Sequence, residues 1–384
     1  MIEYGPYRVV GQLGVGGMGV VHRAVHRETG VQAALKTVRV HDPALLAGLR
    51  REMRALSRLA HPGIVRILEL GLDDETPWYA MELLEGVTLK QLLRPDQDDR
   101  ETAVSGKVPR GDARAGRELD RTRRDEILAT FAPLCDALAF LHGEGVVHLD
   151  LKPDNVFLVD GSPRLMDFGL AARAVAVHGR EALDVVGRGI GTVAYMAPEQ
   201  IHGAPLDARA DLYALGCMMY EVLTGRPPFC GENVLGVVYG HISRPPTPPS
   251  ELVDGVPPEL DALVLSLLAK NPDDRMGYAA DVARALRAMY PAAPPPAEGA
   301  PRARDYLYRP ALVGREEPAR ELREALDRCL QGETHVVFLE GESGVGKTRL
   351  AVELARRDAD SFTVLTGECR ALRVGEAQGA PLVP

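Results

Sequence analysis

A chain of 384 residues is too long for one typical domain and has room for two or more. Its hydrophobic content of 46% can build a real core, and its net charge of −9 argues against a general nucleic-acid coat. Five scattered cysteines without CxxC or Cys/His metal spacing, an N-terminus without an apolar signal region and no apolar run near the ~20 residues that cross a bilayer predict a reduced, cytoplasmic protein with no membrane span.

Residues 7–40 alternate in short apolar stretches around glycine turns, with Glu28-Thr29-Gly30 between the stretches 20–25 and 31–38. Gly14-Val15-Gly16-Gly17-Met18-Gly19 carries glycines where backbone can approach phosphate closely. Alone, GxGxxG fits a dinucleotide site equally well, but that site needs a helix directly after the glycines. Here Val20-Val21-His22-Arg23-Ala24 leads to a turn and another strand, so a glycine-tipped hairpin over phosphates is predicted.

The next strand carries Ala33-Ala34-Leu35-Lys36. A lysine there could simply reach past its apolar neighbours to water. However, a helix expected from Asp42-Pro43 places Glu52 on the same face as Leu49 and Leu56, pointing inward. The pair Lys36–Glu52 would hold an ammonium against the α- and β-phosphates. Strands are also predicted at 64–70 and 77–84, so the first ~90 residues form an antiparallel sheet with one helix.

Residues 94–125 are rich in Asp, Arg, Glu and Gly and nearly devoid of apolar residues; they are expected to be a solvated, mobile insertion rather than a docking segment. From 126 to 290 the pattern is mainly helical, with one stripe at Ile127, Phe131, Leu134, Leu138 and Leu141 and others in 207–224 and 257–270.

Within that region, 148–155 reads His-Leu-Asp-Leu-Lys-Pro-Asp-Asn and 167–169 reads Asp-Phe-Gly. Asp150 is placed to accept the proton of an acceptor hydroxyl, and Lys152 to neutralise a moving phosphoryl group. Asn155 and Asp167 offer the hard oxygens that Mg²⁺ prefers beside phosphate. The joint spacing is far more specific than either short motif.

These motifs, with Gly191-Thr192, Ala197-Pro198-Glu199, Asp211, Gly216 and Arg275, run in the order of a bacterial eukaryotic-like (Hanks-type) serine/threonine protein kinase, which residues 7–290 resemble. The resemblance implies an α+β fold in two lobes: an N-lobe (7–84) of antiparallel sheet plus one helix, and a mainly helical C-lobe (85–290). It implies ATP and Mg²⁺ as cofactors and proteins bearing Ser or Thr as substrates. It further implies Met81 as gatekeeper, the Glu82 and Leu84 backbones holding adenine, Leu13, Val21 and Ala34 packing on the base, a Glu199–Arg275 pair, and Asp211 bracing the catalytic loop.

One position departs from the family: Leu149 stands where an arginine usually precedes the catalytic Asp. That arginine normally meets a phosphorylated activation segment, and residues 170–191 contain no Ser, Thr or Tyr. The two absences agree, and an enzyme not switched by activation-loop phosphorylation is expected. The alternative is a nucleotide-binding pseudokinase or scaffold of a STAND-type signalling protein.

Residues 291–310 read as a stiff, extended proline-rich linker. Beyond it, a helix at 317–331, an apolar strand His335-Val336-Val337-Phe338-Leu339 and a helix at 349–357 frame Gly341-Glu342-Ser343-Gly344-Val345-Gly346-Lys347-Thr348. This is GxxxxGK[ST] in its required setting, in which Lys347 would reach the β/γ-phosphates and Thr348 would hold Mg²⁺. Residues 311–384 resemble the start of an AAA/STAND-type P-loop ATPase. About 70 residues cannot bury the core of such a domain, so a partial unit is expected.

Overall fold

The computed structural model describes residues 2–16, 19–38, 50, 53–71, 76–94, 119–167, 193–204, 206–231, 233–306, 314–341, 347 and 350–351. Residues 1–306 form one compact unit and 307–384 a second.

The first unit opens with a six-stranded antiparallel sheet, β1 (Glu3–Tyr4), β2 (Tyr7–Gly16), β3 (Gly19–His26), β4 (Gln32–Thr37), β5 (Ile67–Gly71) and β6 (Trp78–Glu82), in the order β1-β2-β3-β4-β6-β5. Two-residue periodicity divides its side chains between two faces. Ala33, Leu35, Trp78 and Ala80 pack with Tyr7 and Ala24 into a small outer core. Ala34, Tyr79 and Met81 face the other way and join the main core. Lys36, two residues from Ala34, shares that inner face and pairs in register with Tyr79 and Val21.

The expected glycine-tipped hairpin is present: β2 and β3 pair through to Gly16 opposite Gly19. Gly19 (φ 156°) has no room for a side chain, since a Cβ would lie 1.7 Å from the Thr37 carbonyl oxygen. Residues 53–56 are helical, with Met53 and Leu56 in the main core. The start of that helix and Glu52 lie outside the described residues.

The C-lobe is built on α1 (Leu89–Leu93), α2 (Arg121–Ala129), α3 (Phe131–Gly143), α4 (Pro198–Ile201), α5 (Arg209–Thr224), α6 (Val234–Ser243), α7 (Pro258–Leu267) and α8 (Ala279–Met289). Helices α3 and α5 are buried along most of their length and carry the largest share of the core. Residues 121–143 have the length and composition of a membrane span, but they are two helices and 72% of their apolar window is buried in the protein. A short sheet, β7 (Val87–Thr88), β8 (Val156–Val159) and β9 (Ser162–Leu165), presents the loops on either side of it. Its tight turn uses Asp160 and Gly161, both at positive φ (48° and 76°), as a two-residue hairpin requires.

Three expectations need correction. The insertion expected over 94–125 ends sooner: Asp120 caps α2 with its side chain on the Arg123 N–H, and 121–125 are helical. At its other end Arg94 is ion-paired with Glu221. Residues 95–118 lie outside the described residues. The proline-rich stretch is not a free spacer, because 291–306 lie back on the C-lobe through Ala293, Pro294, Arg304 and Tyr306. Proline stiffens a chain without keeping its side chains from finding partners.

In the second unit, α9 (Glu316–Leu330) matches the predicted helix, with Glu316 and Glu317 in its first turn and Arg328 in its last, which suits the helix dipole. The strand expected at 335–339 is absent. Residues 333–341 carry no strand hydrogen bonding, and Val336 and Phe338 are 78% and 82% exposed. An apolar run becomes a strand only when a neighbour takes its N–H and C=O groups, and the described residues offer it none.

Candidate active site

The loop 148–155 leaves α3 and is fixed from beneath by Asp211, near the start of α5. Asp211 is 1% exposed and accepts three hydrogen bonds: from the backbone N–H of His148 (2.8 Å), from that of Leu149 (2.8 Å) and from His142 Nε2 (2.8 Å). Burial works most strongly against its charge. The hydrogen bond and charge of His142, then the charge and backbone N–H of His148, outweigh burial and hold its carboxyl below the ordinary 3.8. Leu149 takes a left-handed conformation (φ 64°), costly for a residue with a γ-branched side chain. Its N–H is held by Asp211 and its carbonyl by Gln200 Nε2 (2.9 Å), so the strain is pinned from both sides.

Asp150 follows and points into the cleft. Lys152 Nζ donates to both carboxylate oxygens, at 3.0 and 2.8 Å. A 3-10 turn, Pro153–Asn155, then brings Asn155 back under the loop. Asn155 is 4% exposed, and its Nδ2 donates to the Asp150 carbonyl (2.7 Å), to Asp150 Oδ2 (3.1 Å) and to the Asp167 carbonyl (3.4 Å). The amide nitrogen is thus committed to the protein.

Asp167 arrives after β9, also at positive φ (53°). Its Oδ1 accepts from Lys36 Nζ at 2.6 Å and from the Tyr79 hydroxyl at 3.4 Å. Burial, followed by the charge of Asp167 and this hydrogen bond, pushes the Tyr79 phenol well above its ordinary value, so it stays a donor. Lys36, Asp150, Lys152, Asn155 and Asp167 therefore meet in one cleft between sheet and helices. Separations of up to 131 residues are closed by direct contact.

Along the sheet side of the cleft, Ala34 pairs in register with Met81, and both are buried. Val21 and Leu84 pack on the same cluster half-buried, while Leu13 is exposed at 44%. Glu82 donates its N–H to the Arg66 carbonyl and accepts the Arg66 N–H on its carboxylate, both at 3.0 Å. A Cβ at Gly14 would meet no protein atom within 4 Å, so packing does not require glycine there.

The oxygens of Asp167 and Asn155 suit a divalent cation of the hard class, which takes one or two protein oxygens and completes its shell with phosphate and water. Among the described residues, no group of three or more His, Cys, Asp or Glu side chains gathers around a metal position.

Several neighbours were not foreseen from the sequence. Tyr79 could have been, since it lies two residues before Met81 on one strand face. Glu221 of α5 accepts from Arg94 and from the Tyr195 hydroxyl, and Lys90 meets Asp154 at 2.8 Å. Burial first, then Glu221, raises the Tyr195 phenol well above its ordinary value. The expected Glu199–Arg275 pair is present, with the two terminal guanidinium nitrogens on the carboxylate at 2.5 and 2.7 Å.

Gly17, Glu52, Phe168, Gly169, Gly191 and Thr192 lie outside the described residues, as do Gly344, Gly346 and Thr348 of the second unit. There, Lys347 Nζ donates to the Gly341 carbonyl at 2.8 Å.

The protein kinase domain family matches residues 7–287, and the AAA ATPase domain family matches residues 311–384. The chain is 39% identical over 281 residues to the serine/threonine-protein kinase PknB of Mycolicibacterium smegmatis, covering 70% of this chain and 40% of that protein. It is 36% identical over 295 residues to PknB of Mycobacterium tuberculosis, covering 74% and 43%. It thus spans about two fifths of these relatives' length. Among solved structures, the kinase domain of PknI from Mycobacterium tuberculosis superposes with a TM-score of 0.54 at 25% identity, covering 75% of this chain and 97% of the other.

Proposed function

The chain belongs to the protein kinase family, and on that footing we propose that it transfers the γ-phosphoryl group of ATP to serine and threonine hydroxyls of proteins, in bacterial signalling. Kinases of this family use ATP and Mg²⁺. The observation that supports the reading most is the convergence of Asp150, Lys152, Asn155, Asp167 and Lys36 within direct contact of one another.

In this reading Asp150 accepts the hydroxyl proton of the protein substrate as attack begins. Its pairing with Lys152 keeps it aimed, and positioning matters more than basicity in phosphoryl transfer. Lys152 also faces the moving phosphoryl group. Asn155 and the Asp167 carboxylate would hold Mg²⁺, which would neutralise charge on the phosphates. Lys36 would reach the α- and β-phosphates, with Glu52 as the partner expected from the sequence. Gly14, Gly16, Gly17 and Gly19 let backbone approach the phosphates. Leu13, Val21, Ala34 and Met81 line the adenine site, and the backbones of Glu82 and Leu84 hold the base.

The enzyme works without activation-loop phosphorylation. Leu149 is buried at 7% exposure and its brace uses backbone atoms alone, so this position offers no cation to a phosphate. In the partial P-loop unit, Gly341, Gly344, Gly346, Lys347 and Thr348 are the residues that would hold a nucleotide's phosphates. We place the protein in the cytoplasm and expect no nucleic-acid partner; the thiols Cys135, Cys217 and Cys329, outside any disulfide, suit a reducing compartment.

The test is incubation with ATP, Mg²⁺ and generic protein substrates, comparing wild type with Asp150→Asn. Transfer should fall by a factor of about 10² to 10⁴. Transfer that survives the substitution would betray a contaminating kinase, and none in either protein would favour a nucleotide-binding scaffold. Phosphatase treatment of the wild type should leave its rate unchanged, and a large loss would remove the constitutive reading.

A further inference from the structure

The stretch that follows α8 returns across the C-lobe and ends in a seat at the C-terminal end of α3. Gly143, the last residue of α3, is the point of closest approach: a Cβ there would lie 2.7 Å from both the nitrogen and the carbonyl oxygen of Arg304. The next residue, Glu144, meets Arg304 Nε at 3.3 Å. Two residues on, the Tyr306 ring stands edge-on to His142 (5.5 Å between centroids) and to Tyr278 (5.2 Å). Backbone fit, ion pair and aromatic contact thus agree on one register for residues 304–306.

The Tyr306 hydroxyl lies 3.2 Å from His142 Nδ1. The other ring nitrogen of His142 is 2.8 Å from Asp211 Oδ2, and that carboxylate carries the backbone N–H groups of His148 and Leu149. A neutral imidazole has one N–H and one lone pair. In the neutral ring, the Asp211 carboxylate facing Nε2 draws the proton to that nitrogen, which leaves Nδ1 to accept from Tyr306. The tyrosine therefore favours the tautomer that Asp211 needs and fixes the ring's rotation. An unbroken series of hydrogen bonds runs from Tyr306 to the two residues before Asp150, one of them the strained Leu149. His142 and Asp211 are 3% and 1% exposed, so protein groups rather than solvent must satisfy them.

We propose that Tyr306 is a positioning residue for phosphoryl transfer, and that residues 304–306 are a strap whose seating on α3 sets how firmly the catalytic loop is held. The catalytic half of this inference rests on the kinase reading above; the positioning half does not. Tyr306 is the last residue of the first unit, so the strap occupies the point where the chain passes towards the P-loop sequence.

The experiment uses the full chain with Tyr306→Phe, Gly143→Ala and the double substitution. The first removes only the hydroxyl, and the second pushes the strap backbone off α3 without touching His142 or Tyr306. Backbone hydrogen exchange of the 146–152 peptide, kcat, KM for ATP and the melting midpoint are measured. Loss of one hydrogen bond shifts a local equilibrium by about two- to tenfold, so each variant should speed exchange at His148 and Leu149 by about that factor. kcat should fall to match, with KM for ATP within about twofold of wild type and the double variant no worse than the more affected single one.

Exchange and kcat equal to wild type in Tyr306→Phe overturn the proposal, as does acceleration spread evenly over the whole C-lobe. If wild type transfers no phosphate, the kinase reading falls. Exchange then still decides the strap: faster exchange confined to 146–152 supports it, and unchanged exchange overturns it.

Discussion

Glu199→Gln should cost the first unit more stability than any surface charge change. The Arg275 side chain is 0% exposed and that of Glu199 5%. Beyond the two-pronged contact with Glu199, the guanidinium donates to the carbonyls of Ala269 (2.8 Å), Arg209 (2.9 Å) and Lys270 (3.2 Å), and it lies 4.8 Å above the Tyr213 ring. It cannot turn to water when its counter-charge goes. Leaving a buried cation without its partner costs about 3–5 kcal/mol. For a unit of this size a kilocalorie lowers the melting midpoint by roughly 2 °C, so a fall of about 6–10 °C is expected. The control is Asp281→Asn at the Arg284–Asp281 pair, with exposures of 77% and 39%, where the loss should stay below about 1 kcal/mol. A double replacement, Glu199→Leu with Arg275→Met, should recover only part of the loss, because three carbonyls then lack their donor. Thermal melts and denaturant titrations at one pH decide it. A shift for Glu199→Gln no larger than that for Asp281→Asn would refute the view that this pair is locked from solvent.

Two glycines of the hairpin should separate stability from nucleotide binding. Gly19→Ala drives a Cβ against the Thr37 carbonyl and should destabilise by about 1–3 kcal/mol as well as raise KM for ATP. Gly14→Ala meets no protein atom and should leave the melt within about 0.5 kcal/mol of wild type, with only KM for ATP rising; equal melts for the two would contradict the crowding at Gly19. Asp211→Asn should change the acid limb. The folded carboxyl lies below 3.8, so its stabilisation is complete above that pH and is lost as pH falls through the lower folded value. The variant, lacking that titration, should show a shallower fall in stability below about pH 4, and an unchanged slope would count against the brace.

How much of this was legible in the sequence depended on whether the signal was local. The β2–β3 hairpin could be read because alternation, glycines and a turn lie within about twenty residues of one another. The active-site loop could be read because Asp150, Lys152 and Asn155 are placed by one short backbone path. Contacts made by single long side chains across the chain could not. Arg94 meets Glu221 at a separation of 127 and Tyr306 meets His142 at 164, and neither member of either pair is unusual in its own stretch. The proline-rich composition of 291–310 spoke to stiffness and was silent on docking, which hangs on a missing Cβ at Gly143. The apolar run 335–339 shows the converse: periodicity marks what could pair, while pairing needs a neighbour.

The replacement of arginine by Leu149 shows why such a change leaves the centre intact. The backbone is strained at Leu149 (φ 64°), next to Asp150, and at Asp167 itself (φ 53°). At Leu149 every bond that opposes the strain is made by its backbone, to Asp211 and Gln200, and the side chain only fills apolar space in the core. Identity there is free to change as long as the side chain packs. At Asp167 the side chain is itself a partner of Lys36 and Tyr79, and at Asp150 of Lys152 and Asn155. Those positions have no such freedom. The same brace makes the loop sensitive from behind: whatever orients His142 acts on Asp211, and through it on the strained backbone next to Asp150.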